Sequence, residues 1–280
     1  MRFHLKRRGP RDTRPRLPPD EVAWIAEARR SFDDYAVGSL VPVVFDRFAR
    51  ILHPAWSAAH GPVRWDVAAA WSGRTAHALA QWELLSVPIT GAAQAPPFIA
   101  PPDTGGLPRA SLAALSTVLA SHTSTPDRCY VGVWEGYGWP VAEWSGPEVL
   151  DLENRSFHVR RGPISIAIEI GWHPTGDEVL SEPPTLMWPA DRAWFVASDT
   201  DLDSTYLGGS GPLVDSVDVD PSEHGAQLGA EEAPVVVEPA ADDRIDDRRE
   251  LLQRPVTAPI DPPGSDRHPH RSLGLPAHRR

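Results

Sequence analysis

The stretch Trp188-Pro-Ala-Asp-Arg-Ala-Trp-Phe-Val-Ala-Ser-Asp-Thr-Asp-Leu-Asp-Ser-Thr-Tyr-Leu-Gly-Gly209 changes character three times in 22 residues. Trp194 to Ser198 is an apolar run of strand length, the pattern of a fully buried strand. Asp199, Asp201 and Asp203 then fall at every second position, and Gly208-Gly209 ends the region. A buried strand needs partners, and two segments upstream offer them. Cys129, Val131 and Val133 alternate with Tyr130, Gly132 and Trp134. Ile164, Ile166, Ile168 and Ile170 alternate with Ser165, Ala167 and Glu169, which predicts a half-buried strand. Gly211 to Val217 predicts a short helix.

Upstream of residue 123 the period lengthens. Pro19-Asp20 opens a predicted helix to about Phe32, with Val22, Trp24, Ile25 and Ala28 on its apolar face. Gly38 to Leu52 is apolar with Pro42 inside, which predicts a strand or turn followed by a short helical piece. Residues 64–71 and 74–85 read as two helices broken at Gly73, and Leu112, Leu115, Val118 and Leu119 mark another. Helices first and strands later predict an α+β fold, with a mainly helical N-terminal half and an antiparallel or mixed sheet in the C-terminal half. Residues 86–108 hold six prolines and three glycines and form the best internal boundary.

The whole chain has 280 residues, 41% hydrophobic and 23% charged, with a net charge of −11. Residues 1–20 carry +5, residues 21–239 carry −17 and residues 240–280 carry +1. A body this acidic argues against nucleic-acid binding. The last aromatic residue is Tyr206, so the final 74 residues cannot bury enough surface to offset their chain entropy. Disorder is therefore expected over residues 1–19 and 218–280, with a short helix near Asp242–Gln253. A single α+β domain is expected over 20–217. No apolar run is long enough for a membrane span, and no secretory signal follows Arg7-Arg8, so the expected location is cytoplasmic.

Several chemistries fall on counts alone. Lys6 is the one lysine, which removes Schiff-base and P-loop chemistry from the body. Cys129 is the one cysteine, which removes an intramolecular disulfide framework and cysteine-based zinc. Neither a metalloprotease histidine pair nor a Gly-x-Ser-x-Gly elbow occurs. No cofactor is expected.

Two clusters and one arginine remain. Asp199, Asp201 and Asp203, with Thr205 and Tyr206, form either a cation or ligand site at a strand end or an exposed turn whose aspartates cap backbone N–H groups. An EF-hand loop would need Gly and Glu where Ser204 and Ser210 stand. Trp134, Glu135 and Tyr137, framed by Gly136 and Gly138, form either an aromatic platform for a partner or core packing. Arg192 is the nearest counter-ion in sequence to the aspartates.

Phe45-Asp-Arg-Phe-Ala-Arg-Ile-Leu-His-Pro-Ala55, His122-Thr123 with Pro126-Asp127, Trp134-x-Gly-Tyr-Gly138, Trp188-Pro-x-Asp-Arg-x-Trp194 and Asp201-x-x-Ser-Thr-Tyr-x-Gly-Gly209 occur in that order. Together they resemble an uncharacterised family of actinobacterial proteins over roughly 38–217. The resemblance implies no activity and carries over no catalytic residue. The expectation is a binding or interaction protein whose partner is another protein. The alternative is a metal-assisted hydrolase or nucleotide-handling enzyme, with the three aspartates on the cation, Arg192 on an anionic transition state and Glu135 as base.

Overall fold

The computed structural model describes residues 14–34, 36–77, 79–89, 95–137, 148–153, 155–170, 172–175, 178–181, 183–217 and 235–238. The strands are β1 (Arg47–Leu52), β2 (Ala55–Ser57), β3 (Gly61–Val63), β4 (Cys129–Trp134), β5 (Glu148–Leu152), β6 (Arg155–Gly162), β7 (Trp172–Thr175), β8 (Glu178–Ser181), β9 (Leu186–Pro189), β10 (Phe195–Ser198), β11 (Ser204–Gly209) and β12 (Val235–Glu238). The helices are α1 (Pro19–Glu27), α2 (Trp65–Ser72), α3 (Trp82–Leu85), α4 (Arg109–Ser121) and α5 (Gly211–Val217). The fold is α+β. Eight strands form one antiparallel sheet in the order β12-β1-β11-β10-β9-β4-β6-β5.

Period-two alternation assigns each side chain to a face. Val131, Val133, Met187, Val196, Leu207 and Ile51 point to one side, where α4, α5 and residues 164–168 cover them. Tyr130, Phe157, Leu186, Trp188, Phe195 and Ala197 point to the other, under Ile25 of α1 and Val41. Tyr130 stacks on Trp188 at 4.9 Å, and Trp24 meets Phe195 edge-on. A third cluster, around Trp65, Ala68, Ala69 and Trp82, belongs to β2, β3, α2 and α3 and sits against Leu52 at the end of β1.

Several expectations are corrected. Ile164–Ile168 is a 3₁₀ helix, not a strand. Pro163 precedes it with φ −63°, and three residues per turn bring Ile164, Ala167 and Ile170 to one buried side. The isoleucine alternation imitates a strand because Ile166 and Ile168 also touch the core edge. Arg47–Leu52 is strand rather than helix, because pairing with both β11 and β12 overrides its local preference. The first half holds three strands, β1–β3, besides its helices. Gly73, at φ 76°, stops α2, and among the described residues only Trp82–Leu85 of the expected second helix is helical. Gly208-Gly209 lies inside β11. Of the expected disordered tail, Val235–Glu238 is strand paired with β1; the expected helix near Asp242–Gln253 and Gly138 lie outside the described residues. No helix among the described residues is long and apolar enough to cross a membrane.

Candidate functional site

Antiparallel order places the ends of β1, β4, β5 and β10 and the starts of β6, β9 and β11 at one end of the sheet. Residues 199–203 turn there between β10 and β11, closed by the Asp199 carbonyl accepting from Leu202 N–H at 3.1 Å. Gly105, at φ 103°, reaches the same turn and donates its N–H to the Leu202 carbonyl at 3.0 Å. A side chain at Gly105 would stand 3.7 Å from the Tyr137 hydroxyl, which places Tyr137 beside this segment.

The three aspartates do not converge on one point. Asp199 is buried and pairs with Arg155, Oδ2 to Nη1 at 2.7 Å and Oδ1 to Nη2 at 3.4 Å. Its Oδ1 also accepts from Asp201 N–H at 3.2 Å, the turn-capping role that short acidic side chains commonly take. Asp201 is exposed. Asp203 pairs with Arg50 at 3.3 Å. Among the described residues no group of three His, Cys, Asp or Glu side chains is arranged to hold a metal ion. Arg192 is not their counter-ion. It sits at the far end of β10, in the β9–β10 turn with φ 60°, lies over Trp24 at 5.4 Å and donates to the Asp20 carbonyl at 3.0 Å. Asp191 beside it accepts from Thr123 and Ser124. Burial raises the Asp191 carboxyl pKa, but these bonds outweigh it and leave the pKa below its ordinary value.

Arg155, Arg50 and His53 are what the sequence reading missed. The Arg155 guanidinium lies between the Phe32 ring at 4.7 Å and the Trp134 ring at 5.1 Å. Glu153 secures the Phe32 side, accepting from Phe32 N–H at 3.0 Å and Ser31 Oγ at 3.3 Å. On the other side Trp134 folds over Gly136, where even a methyl group would come within 2.1 Å of the indole. Tyr137 meets Trp134 edge-on at 5.4 Å. The order is ring, guanidinium and ring, with Tyr137 set edge-on against the last ring and a buried carboxylate paired with the guanidinium. Cation–π contact favours this order, and the Asp199 carboxylate offsets the desolvation of the guanidinium. Trp134 and Tyr137 stay partly exposed, and Glu135, Asp103 and Asp201 are exposed carboxylates on neighbouring segments.

Thr205 and Tyr206 point to opposite faces. Tyr206 packs with the aromatic cluster under α1. Thr205 joins a buried relay in which His53 Nδ1 bonds the Asp103 carbonyl at 2.8 Å, His53 Nε2 bonds Thr205 Oγ1 at 2.9 Å and Thr205 bonds Ser198 Oγ at 2.7 Å. On the other face Arg50 binds Ser204 Oγ at 2.9 Å, the Ala80 carbonyl at 2.8 Å and Asp203, with its guanidinium over Trp65. Neither network offers an accessible nucleophile, since Thr205, Ser204 and His53 are buried. Burial also pushes the Cys129 thiol up to about 12, so it is not a thiolate at neutral pH.

Burial lowers the His53 pKa from its ordinary value, more than the bond to the Asp103 carbonyl and the nearby carboxylates raise it. Native His53 therefore stays neutral at a pH where the unfolded chain already takes a proton. Its stabilising contribution is complete above about pH 6.5 and is lost as pH falls from there through the lowered native value. The melting temperature of the wild type should thus drop more steeply between about pH 7 and pH 5 than that of His53→Gln, whose baseline is lower throughout. Parallel pH profiles of the two would show that His53 does not set this dependence.

Comparison of the chain with protein-family models, with curated proteins and with solved structures finds no match.

Proposed function

We propose that this chain is a cytoplasmic recognition protein without catalysis of its own, which captures a basic segment of a protein partner at the turn end of its sheet. The Trp134 indole carries this reading. It rests against Arg155 and Gly136, stays partly exposed, and lies on a segment neighbouring those that carry the exposed carboxylates Glu135, Asp103 and Asp201. A rigid aromatic surface beside negative charge favours arginine or lysine side chains. The metal-assisted alternative loses its footing because Asp199 and Asp203 are turned toward different arginines. Kinship with the actinobacterial family belongs to the same proposal. In its favour, two separate motifs of the resemblance meet in space, where Asp191 accepts from Thr123 and Ser124.

The test is a fluorescence-anisotropy titration with nonapeptides centred on arginine or lysine in varied flanks, with aspartate-centred peptides as controls. Saturable binding of basic peptides only is expected, weakened about tenfold in Trp134→Ala, as for a single aromatic anchor. Binding that ignores this substitution, or no binding by any basic peptide, would overturn the assignment.

A further inference from the structure

We infer that the outer flank of the Trp65–Trp82 mini-core is the surface through which two copies of this chain associate. Among the described residues, six of the eight exposed large apolar side chains lie between positions 56 and 99. Ile99 is 71% exposed, Ile89 61% and Trp56 51%. They occupy one neighbourhood. Ile99 N–H donates to the Trp56 carbonyl at 2.7 Å. Phe98, next to Ile99, packs edge-on against Trp71 of α2 at 5.7 Å and Trp82 at 4.9 Å. Ile89 N–H donates to the Ser72 carbonyl at 3.0 Å, one residue beyond Trp71. The exposed side chains are therefore mounted on a packed base, and little ordering entropy remains to be lost on association.

Charge selects the occupant. The whole chain carries −11, yet residues 53–102 hold two arginines, Arg64 and Arg74, and two carboxylates, Asp66 and Glu83. Arg64 and Asp66 already pair with each other at 2.8 Å. This stretch is thus electrically neutral within an acidic chain. It is where a second, equally acidic copy meets the least repulsion, and it offers no charge to steer a charged partner. An anionic membrane would repel the remainder of the chain. The contact is made by side chains rather than by extending a sheet. Pro96, Pro97, Pro101 and Pro102 bracket the Ile99 segment, and none carries an N–H for a ladder. An apolar patch of this kind is its own complement across a two-fold axis.

The experiment is sedimentation equilibrium of the full chain over about 1–100 µM, a range that brackets the weak affinity of a small transient interface. A monomer–dimer equilibrium is expected, and added salt should strengthen it by screening the repulsion between acidic bodies. Ile89→Asp with Ile99→Asp should weaken dimerisation at least tenfold, an order set by the loss of two anchors. Val44→Asp, also exposed but outside this stretch, should leave it unchanged. Far-UV circular dichroism confirms that each variant folds. A monomer at every concentration, a dimer indifferent to the double variant, an equal effect of Val44→Asp, or weakening by salt would each overturn the inference. Flotation of a monomer with phosphatidylcholine vesicles, abolished by the double variant, would also overturn it and assign the flank to a lipid surface.

Discussion

Replacing Arg50 with methionine lowers the melting temperature by about 6–12 °C, the shift expected for a loss of ~3 kcal/mol in a domain of this size. Arg50 is only 6% exposed. Its guanidinium is the shared donor to Asp203, Ser204 and the Ala80 carbonyl, and it covers Trp65. A methionine fills much of the volume but removes the charged donor of the part-buried Asp203 carboxylate, which keeps Ser204 Oγ, and the side-chain donor of the Ala80 carbonyl. The unmade bonds, not the missing methylenes, set the magnitude. Arg50→Met combined with Asp203→Asn should therefore be less destabilised than the sum of the single variants. Arg50→Lys should recover less than half of the loss, because an ammonium cannot fork between three acceptors on two elements. Differential scanning fluorimetry on the wild type and the four variants decides the point, and strict additivity would refute it.

The second large effect is expected at Asp199. Asp199→Ala removes the buried counter-charge of Arg155 and the cap on Asp201 N–H together. A loss of about 2–3 kcal/mol follows, since an arginine sandwiched between two rings then lacks its acceptor. The consequence reaches beyond stability. With Arg155 released, Trp134 loses the floor on which it rests, and capture of basic peptides should fall at least as far as in Trp134→Ala. Asp199→Asn can still accept from Asp201 N–H and isolates the charge. If its binding and stability match the wild type, the Arg155–Asp199 pair does not organise the platform.

What could be read from the sequence follows the strength of each local signal. Cys129–Trp134 and Phe195–Ser198 were legible because period-two alternation, or a short wholly apolar run, matches a strand buried on one or both faces. Arg109–Ser121 was legible from its 3.6-residue spacing. Trp134 and Tyr137 stood in one candidate cluster and Asp199 in another, and nothing in their spacing showed that Arg155 joins them. The two arginines carried a signal of a different kind. Arg50 interrupts the apolar run Phe48-Ala-Arg-Ile-Leu52, and Arg155 opens a strand whose Phe157 and Val159 are buried. A cation inside a buried strand must meet an anion, and aspartates were available. Which aspartate it meets depends on strand order, and that is fixed by long-range pairing.

Synthesis on the ribosome sets a delay that follows from the strand order. β1 is made early, but Arg50 and its partner Ser204 are 154 residues apart. At ~5–20 residues per second, β1 waits about 8–30 s for β11 to emerge. Throughout that interval β1 lacks its strand partners on both edges, while the neighbouring Trp65–Trp82 cluster has all its own residues once Phe98 is made. Slower elongation prolongs this exposure, and a chaperone that holds extended apolar segments would find its binding site in the newborn chain at Arg47–Leu52.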